Sequence, residues 1–121
     1  MSLKNKHIIN KSQPLLSALK VLNTLMPDPL VLFVVDDDDK MVGTLTDGDS
    51  RRALIADVSV NDSIEKVMHK NFNFLRRDVD DDVQHLHEQK LKKMKLVPIL
   101  DSNNHIVDIV NLEDFNSGFP P

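Results

Sequence analysis

The sequence has no cysteine, no tryptophan and no tyrosine. Without thiols there can be no disulfide scaffold, no thiolate metal site and no thiol nucleophile. Nothing calls for an oxidising compartment, and a cytoplasmic location is expected. Aromatic side chains are limited to five Phe, so the core must be aliphatic, and a base-stacking platform for nucleic acid is poorly supplied. An excess of basic charge is missing too. The formal charge is −4, with 7 basic and 8 acidic residues in 1–60 and 8 basic and 11 acidic in 61–121. Neither half carries the positive footprint that a phosphate backbone demands. The longest apolar run, Leu30 to Val35, is too short to span a bilayer, and the N-terminus lacks the hydrophobic stretch of a signal peptide. No nucleic-acid partner and no membrane insertion are expected.

What is present is the composition of a folded domain. The chain has 121 residues, 40% apolar and 28% charged, which suffices for one core or for two half-sized units that share one. From Ser12 to Met26, the residues Leu15, Leu16, Leu19, Leu22 and Leu25 fall at helical spacing, behind a possible Ser12 cap and with Pro14 near the first turn. Met26-Pro27-Asp28-Pro29 then breaks the helix. Leu30 to Val35 reads as a buried strand, Asp36 to Lys40 as a polar turn, and Met41 to Thr46 as the returning strand of a hairpin. Thr46 to Ser50 ends that strand and can cap a helix from about Ser50 to Ala56.

The same order then recurs. A shift of 65 residues places Asp36 on Asp101, Val42 on Val107 and Asp49 on Asp114. The second copy comprises a helix near Asp82 to Lys90, a strand Leu96 to Leu100, a turn Asp101 to His105, a strand Ile106 to Val110 and an acidic helix start at Leu112 to Phe115. Short apolar pieces, His7 to Ile9 and Phe72 to Leu75, precede the first helices and read as edge strands. Between the copies, Asn61 to Met68 reads as one or two helical turns capped by Asp62 or Ser63. A β-α-β-β-α unit of this size cannot bury both sheet faces alone, whereas two copies packed through their sheets can. The expected division is residues 1–60 and 61–121, with a linker at 116–121 and too little chain for a closing helix.

The densest chemistry lies in Gly43-Thr44-Leu45-Thr46-Asp47-Gly48-Asp49-Ser50-Arg51-Arg52-Ala53-Leu54. A strand here feeds a helix N-terminus, whose free N–H groups and dipole favour an anion. Thr46 and Ser50 add hydroxyl donors, and Arg51 and Arg52 can add charge-assisted bonds to phosphate. Adjacent helical residues point about 100° apart, so the two arginines do not easily serve one phosphate. Asp49, acceptor-only when ionised, suits a vicinal diol such as that of ribose. Thr46 and Asp49 are also residue types that cap helices without any ligand, and the two roles are compatible.

This stretch resembles the nucleotide-contacting signature of cystathionine-β-synthase (CBS) domains, in which Gly, Thr or Ser, and Asp recur at three-residue steps, here Gly43, Thr46 and Asp49. Lys66-Val67-Met68 and Leu96-Val97-Pro98-Ile99-Leu100-Asp101 also resemble their family counterparts, so the likeness covers nearly the whole chain. The resemblance implies an α+β fold of two β-α-β-β-α CBS repeats packed as a pseudo-twofold pair, a Bateman module, with the last helix truncated. It implies an adenine held between strand residues Ile9, Asn10 and Val31, a ribose on Asp49 and a phosphate on Thr46, with Gly43, Ser50, Arg51 and Arg52 around them. A second, weaker site would comprise Phe74, Leu96, Asn111 and Asp114. There Asp108 replaces the Gly and Asn111 the Thr or Ser, so the first site is expected to bind more tightly. The run Thr46 to Leu54 further resembles CBS pairs that precede sugar-phosphate nucleotidyltransferase domains similar to mannose-1-phosphate guanylyltransferases.

Other clusters read as structural. Asp36 to Asp39 lacks the twelve-residue spread and the Gly of an EF-hand loop. His85 and His87, two apart on a helix, face different ways. Asp78, Asp80, Asp81 and Asp82 complement a helix N-terminus, and Lys90, Lys92, Lys93 and Lys95 its C-terminal end. No metal site and no catalytic residue are assigned, and no cofactor is required. The expected function is regulatory: AMP, ADP, ATP or S-adenosylmethionine binds, alters the packing of the repeats and biases a catalytic domain attached beyond Pro121. Homodimers are expected from exposed apolar helix faces. The alternative is a structural dimerisation module with a vestigial nucleotide site.

Overall fold

The computed structural model describes residues 6–77 and 95–112. Two compact units divide it, residues 1–72 and 73–121. The division falls after Phe72 rather than at the repeat boundary expected after residue 60, because the intervening segment packs on the first unit.

In the first unit, β1 (Ile8–Asn10) lies parallel to β2 (Val31–Val35), which pairs antiparallel with β3 (Met41–Thr46). Helix α1 (Leu15–Leu25) joins β1 to β2 and buries Leu15, Ala18, Leu22 and Leu25, the 3-4-3 spacing of one helical face. These meet Leu32, Val34, Leu45 and Ile64 in one aliphatic cluster. The central strand β2 is buried on both faces, which accounts for its unbroken apolar run. Helix α2 (Asp47–Ile55) continues from β3 without a loop.

Two helix starts differ from the expectation. α2 begins at Asp47, not Ser50, because Thr46 takes the cap position. α1 begins at Leu15 without a side-chain cap, since Ser12 instead donates its Oγ–H to Asn10 Oδ1 at 2.7 Å. The first N–H groups of α1 donate to main-chain carbonyls, Leu15 to Asp62 at 2.8 Å and Leu16 to Val60 at 2.9 Å. Two of the orphan donors that a helix start leaves are thus met from more than forty residues away. The connector between the copies, residues 61–72, then makes a single 3-10 turn, Ile64–Lys66, capped by Ser63, and Ile64 N–H donates to Gln13 O at 2.9 Å.

In the second unit, β4 (Leu75–Arg76) runs parallel to β5 (Leu96–Leu100), which pairs antiparallel with β6 (Ile106–Asn111). The edge strand lies later than the expected Phe72 to Leu75. Leu75, Val97 and Leu112 form the buried cluster of this unit. The expected helix from Asp82 to Lys90, the acidic cluster at 78–82, His85, His87 and the tail from Glu113 lie outside the described residues. Among the described residues, no helix is long and apolar enough to cross a membrane.

Candidate functional site

The strand-to-helix junction of the first unit is fixed by a reciprocal pair of bonds. Thr46 Oγ1 accepts from Asp49 N–H at 3.0 Å, and Asp49 Oδ2 accepts from Thr46 N–H at 3.0 Å. This capping box satisfies the helix start with the two residues singled out for ligand binding. Ser50, fully buried, donates its hydroxyl to Thr46 O at 3.1 Å, so its proton is already committed to the backbone. Asp49 is also buried, at 8% exposure, and its second oxygen accepts from the Arg52 guanidinium at 2.7 Å, with His69 Nε2 3.6 Å away.

The other end of α2 is closed by backbone geometry. Asp57 adopts φ 67°, Asp57 N–H donates to Leu54 O at 3.1 Å and Val58 N–H to Ala53 O at 3.0 Å. That pattern is a Schellman motif, and it folds Val58 back toward Ala53.

Opposite this helix, the connector adds itself to the sheet. Thr44 N–H donates to His69 O at 2.9 Å and His69 N–H to Thr44 O at 2.8 Å. Gly43 is the reason the two backbones can approach. A Cβ at that position would stand 2.8 Å from His69 O and 2.8 Å from Met68 Sδ, closer than atoms tolerate. The glycine of the signature therefore accommodates the protein's own connector.

Between α2 and the connector lies a cavity of about 590 Å³, lined by Asp49, Arg52, Ala53, Val58, Val67, Met68, His69, Lys70 and Asn71. Its size is that of small-ligand sites. Apolar side chains line part of it, and one buried carboxylate shares its wall with two basic side chains, Arg52 and Lys70. The cavity accordingly offers an apolar wall for a base, an acceptor for hydroxyls and donors for an anion.

Of the residues singled out in the sequence, Asp49 and Arg52 line this cavity, and Thr46, Ser50 and Gly43 support it. Arg51 turns away, its side chain 72% exposed and paired with Asp47 at 2.5 Å, as the angle between adjacent helical residues requires. Val31 is opposite Thr46 in the sheet, whereas Asn10 is opposite Val35, at the hairpin-turn end. Val31 and Val35 are four residue steps apart, about 13 Å, and Asn10 there donates to Asp37 at 3.2 Å. Ile9 is buried in the core cluster. None of Ile9, Asn10 and Val31 lines the cavity. His69, Lys70 and Asn71 join the site although the sequence reading does not single them out, and Val67 and Met68, noted there only as part of a family-like run, line it too. In the second unit, Leu96 is opposite Asn111 in the sheet, as Val31 is opposite Thr46. Phe74 stacks under the Arg76 guanidinium, 5.0 Å from ring centre to Cζ. Asp114 lies outside the described residues. Among the described residues, no cluster of His, Asp or Glu could hold a metal ion.

No protein-family model and no curated protein matches the chain. Solved structures do. The CBS domain pair of protein MJ0100, in complex with 5′-methylthioadenosine and S-adenosyl-L-methionine, is 25% identical, with 99% of this chain and 100% of that one covered and a TM-score of 0.73. A CBS domain protein from Streptococcus pneumoniae TIGR4 is 16% identical, with 97% and 80% covered and a TM-score of 0.78. The cytosolic domain of the Mg2+ channel MgtE, in complex with ATP, is 17% identical, with 93% and 44% covered and a TM-score of 0.73. The two small sheets, their parallel edge strands and the helix after β3 thus form an α+β fold, and that fold is the fold of a CBS domain pair.

Proposed function

We propose that this chain is a regulatory module that takes an adenosine-containing nucleotide into the cavity beside Asp49. The observation that carries the reading is Asp49 itself: a carboxylate held rigid by the capping box, at the wall of a ligand-sized cavity that also holds two cations. Support comes from the adenosine ligands of two structures that share the fold. AMP, ADP, ATP and S-adenosylmethionine all present the ribose that such an acceptor recognises. The module itself is read as non-catalytic. Its effect would fall on an attached domain, and the likeness of Thr46 to Leu54 to nucleotidyltransferase-linked pairs favours an enzyme of that kind. The exposed apolar side chains Leu16, Leu54 and Ile55 would meet a second copy in a homodimer.

A second reading is favoured by the same carboxylate. Both Asp49 oxygens already have protein partners, as in a purely structural dimerisation module with a vestigial site. Calorimetric titration with the four ligands at millimolar concentration separates the two. Binding at about 100 times the dissociation constant adds roughly 2.7 kcal/mol of stability, a rise of several degrees in a domain of this size. Asp49→Ala should abolish the main binding event and Asp114→Ala should leave it nearly intact. Thr46→Ala breaks the same capping box, so its melt without ligand, set beside that of Asp49→Ala, measures the stability lost with the cap. Failure of all four ligands would leave the structural reading standing.

A further inference from the structure

The nucleotide reading leaves open which adenosine ligands the site accepts, and the state of Asp49 bears on that choice. We propose, on the basis of that reading, that Arg52 makes the site selective for phosphorylated adenosine ligands by covering Asp49 until an anion draws the guanidinium away. Asp49 Oδ2 is held by Thr46 N–H and is part of the helix start, so it is not available to a ligand without cost to the fold. Oδ1 is the oxygen that can serve ribose, and the Arg52 guanidinium occupies it at 2.7 Å.

The two partners differ in freedom. The Asp49 side chain is 7% exposed and anchored, while that of Arg52 is 71% exposed. The arginine is therefore the partner that moves. Its guanidinium lies against Gly48, where a Cβ would stand 3.3 Å from Nη1. The pair is open to solvent only on the arginine's side, so the guanidinium can turn to another anion while the carboxylate stays in place. A phosphate replaces it with a charge-assisted, often bidentate, pair, and Asp49 is then released to the hydroxyls. A ligand without phosphate must break the pair and gives Arg52 nothing in return. A sulfonium does worse, since it brings positive charge toward Arg52 and Lys70, both in the cavity wall.

Calorimetry on the full chain, wild type and two variants, tests this with ADP and with 5′-methylthioadenosine. Wild type should bind ADP at least about tenfold more tightly. Arg52→Ala should weaken ADP about ten- to hundredfold, the effect of one lost bond between charged groups. The same variant should strengthen 5′-methylthioadenosine, because Asp49 is then uncovered. Lys70→Ala removes an equal charge without touching Asp49, and should weaken ADP while leaving 5′-methylthioadenosine unchanged. Arg52→Ala shifting both ligands in the same direction would overturn the proposal, as would Lys70→Ala strengthening 5′-methylthioadenosine. If wild type bound neither ligand, the nucleotide reading itself would fall. Without ligand, Lys70→Ala should melt like wild type, while Arg52→Ala, which takes the partner from a buried carboxylate, should melt somewhat lower.

Discussion

The hairpins of the two units agree in register, while the residue that admits the connector in the first unit differs in the second. Val31 is opposite Thr46 and Leu96 opposite Asn111, and each sheet shifts register at the same point, between Val34 and Val35 or between Ile99 and Leu100. Asp36 and Asp101 close their turns in the same way, and Asp39 and Asn104 adopt φ of 62° and 68°. The edge strands repeat with one added residue: Ile9 is opposite Val34, and Leu75 is opposite Ile99. The difference begins at the returning strand. Gly43 is buried under the connector, whereas Asp108 in the equivalent place is exposed and accepts from Ile109 N–H at 2.8 Å. The repeated part is the scaffold, and the described cavity depends on residues outside it. A duplicated fold has thus kept its hydrogen-bond frame and varied the residue that decides whether another backbone can lie against the strand.

The largest expected difference is in the core. Leu45 and Val110 are equivalent, yet Leu45 is completely buried in the first cluster and Val110 only half-buried beside the second. Leu45→Ala should cost about 3 kcal/mol, from lost transfer energy and the cavity left behind. Val110→Ala should cost about 1 kcal/mol, since its two methyl groups are partly in water already. Denaturant melts of both variants measure the gap. Equal losses would mean that the two sheets are covered alike.

A smaller but sharper contrast concerns the glycine. Gly43→Ala sets a methyl group 2.8 Å from the His69 carbonyl, a backbone atom that cannot rotate aside. The expected cost is about 1–3 kcal/mol, typical of overpacking, together with faster amide exchange at Thr44 and His69. Asp108→Ala, on an exposed strand position, should change stability by less than about 0.5 kcal/mol. Unchanged exchange at Thr44 in Gly43→Ala would show that the connector does not need this glycine.

The same contrast explains what can be read without coordinates. The hairpins are legible because alternation and turn residues are local, and the cap of α2 because Thr46 and Asp49 carry it in the sequence. The start of α1 is not, since two of its N–H groups are met by Asp62 and Val60, and no local signal marks a partner more than forty residues away. Ser12 has the residue type of a cap and serves Asn10 instead. The cavity wall at Met68 to Asn71 depends on a pairing between Thr44 and His69. Gly43 is the available clue, because a glycine inside a strand marks a close approach by a ligand or by another backbone, and here the connector is what approaches. The adenine contacts expected at Ile9, Asn10 and Val31 rest on resemblance, and strand register sets Asn10 at the far end of the sheet from Thr46.

The smallest expected effect is the one in which the two units should behave identically. Asp36 Oδ1 accepts from Asp38 N–H at 2.9 Å and from Lys40 N–H at 3.0 Å. Asp101 Oδ1 accepts from Asn103 N–H and from His105 N–H, both at 2.9 Å. In each case the leading cause, a backbone hydrogen bond from Lys40 or His105, holds the carboxyl below its ordinary value of 3.8. A carboxylate whose pKa is depressed by folding contributes stability above its unfolded pKa and loses it as pH falls through the folded one. The loss therefore lies below about pH 3.8, and each turn contributes its own share. Asn in place of Asp keeps the accepting oxygen but not the charge, so Asp36→Asn and Asp101→Asn should each reduce the acid dependence while largely preserving the turn. Both variants should be slightly less stable than wild type at pH 7, and the difference should shrink as pH is lowered toward 3. Circular dichroism melts from pH 7 to pH 3 provide the comparison. A marked inequality between the two variants would show that matching bonds do not make the two turns energetically alike.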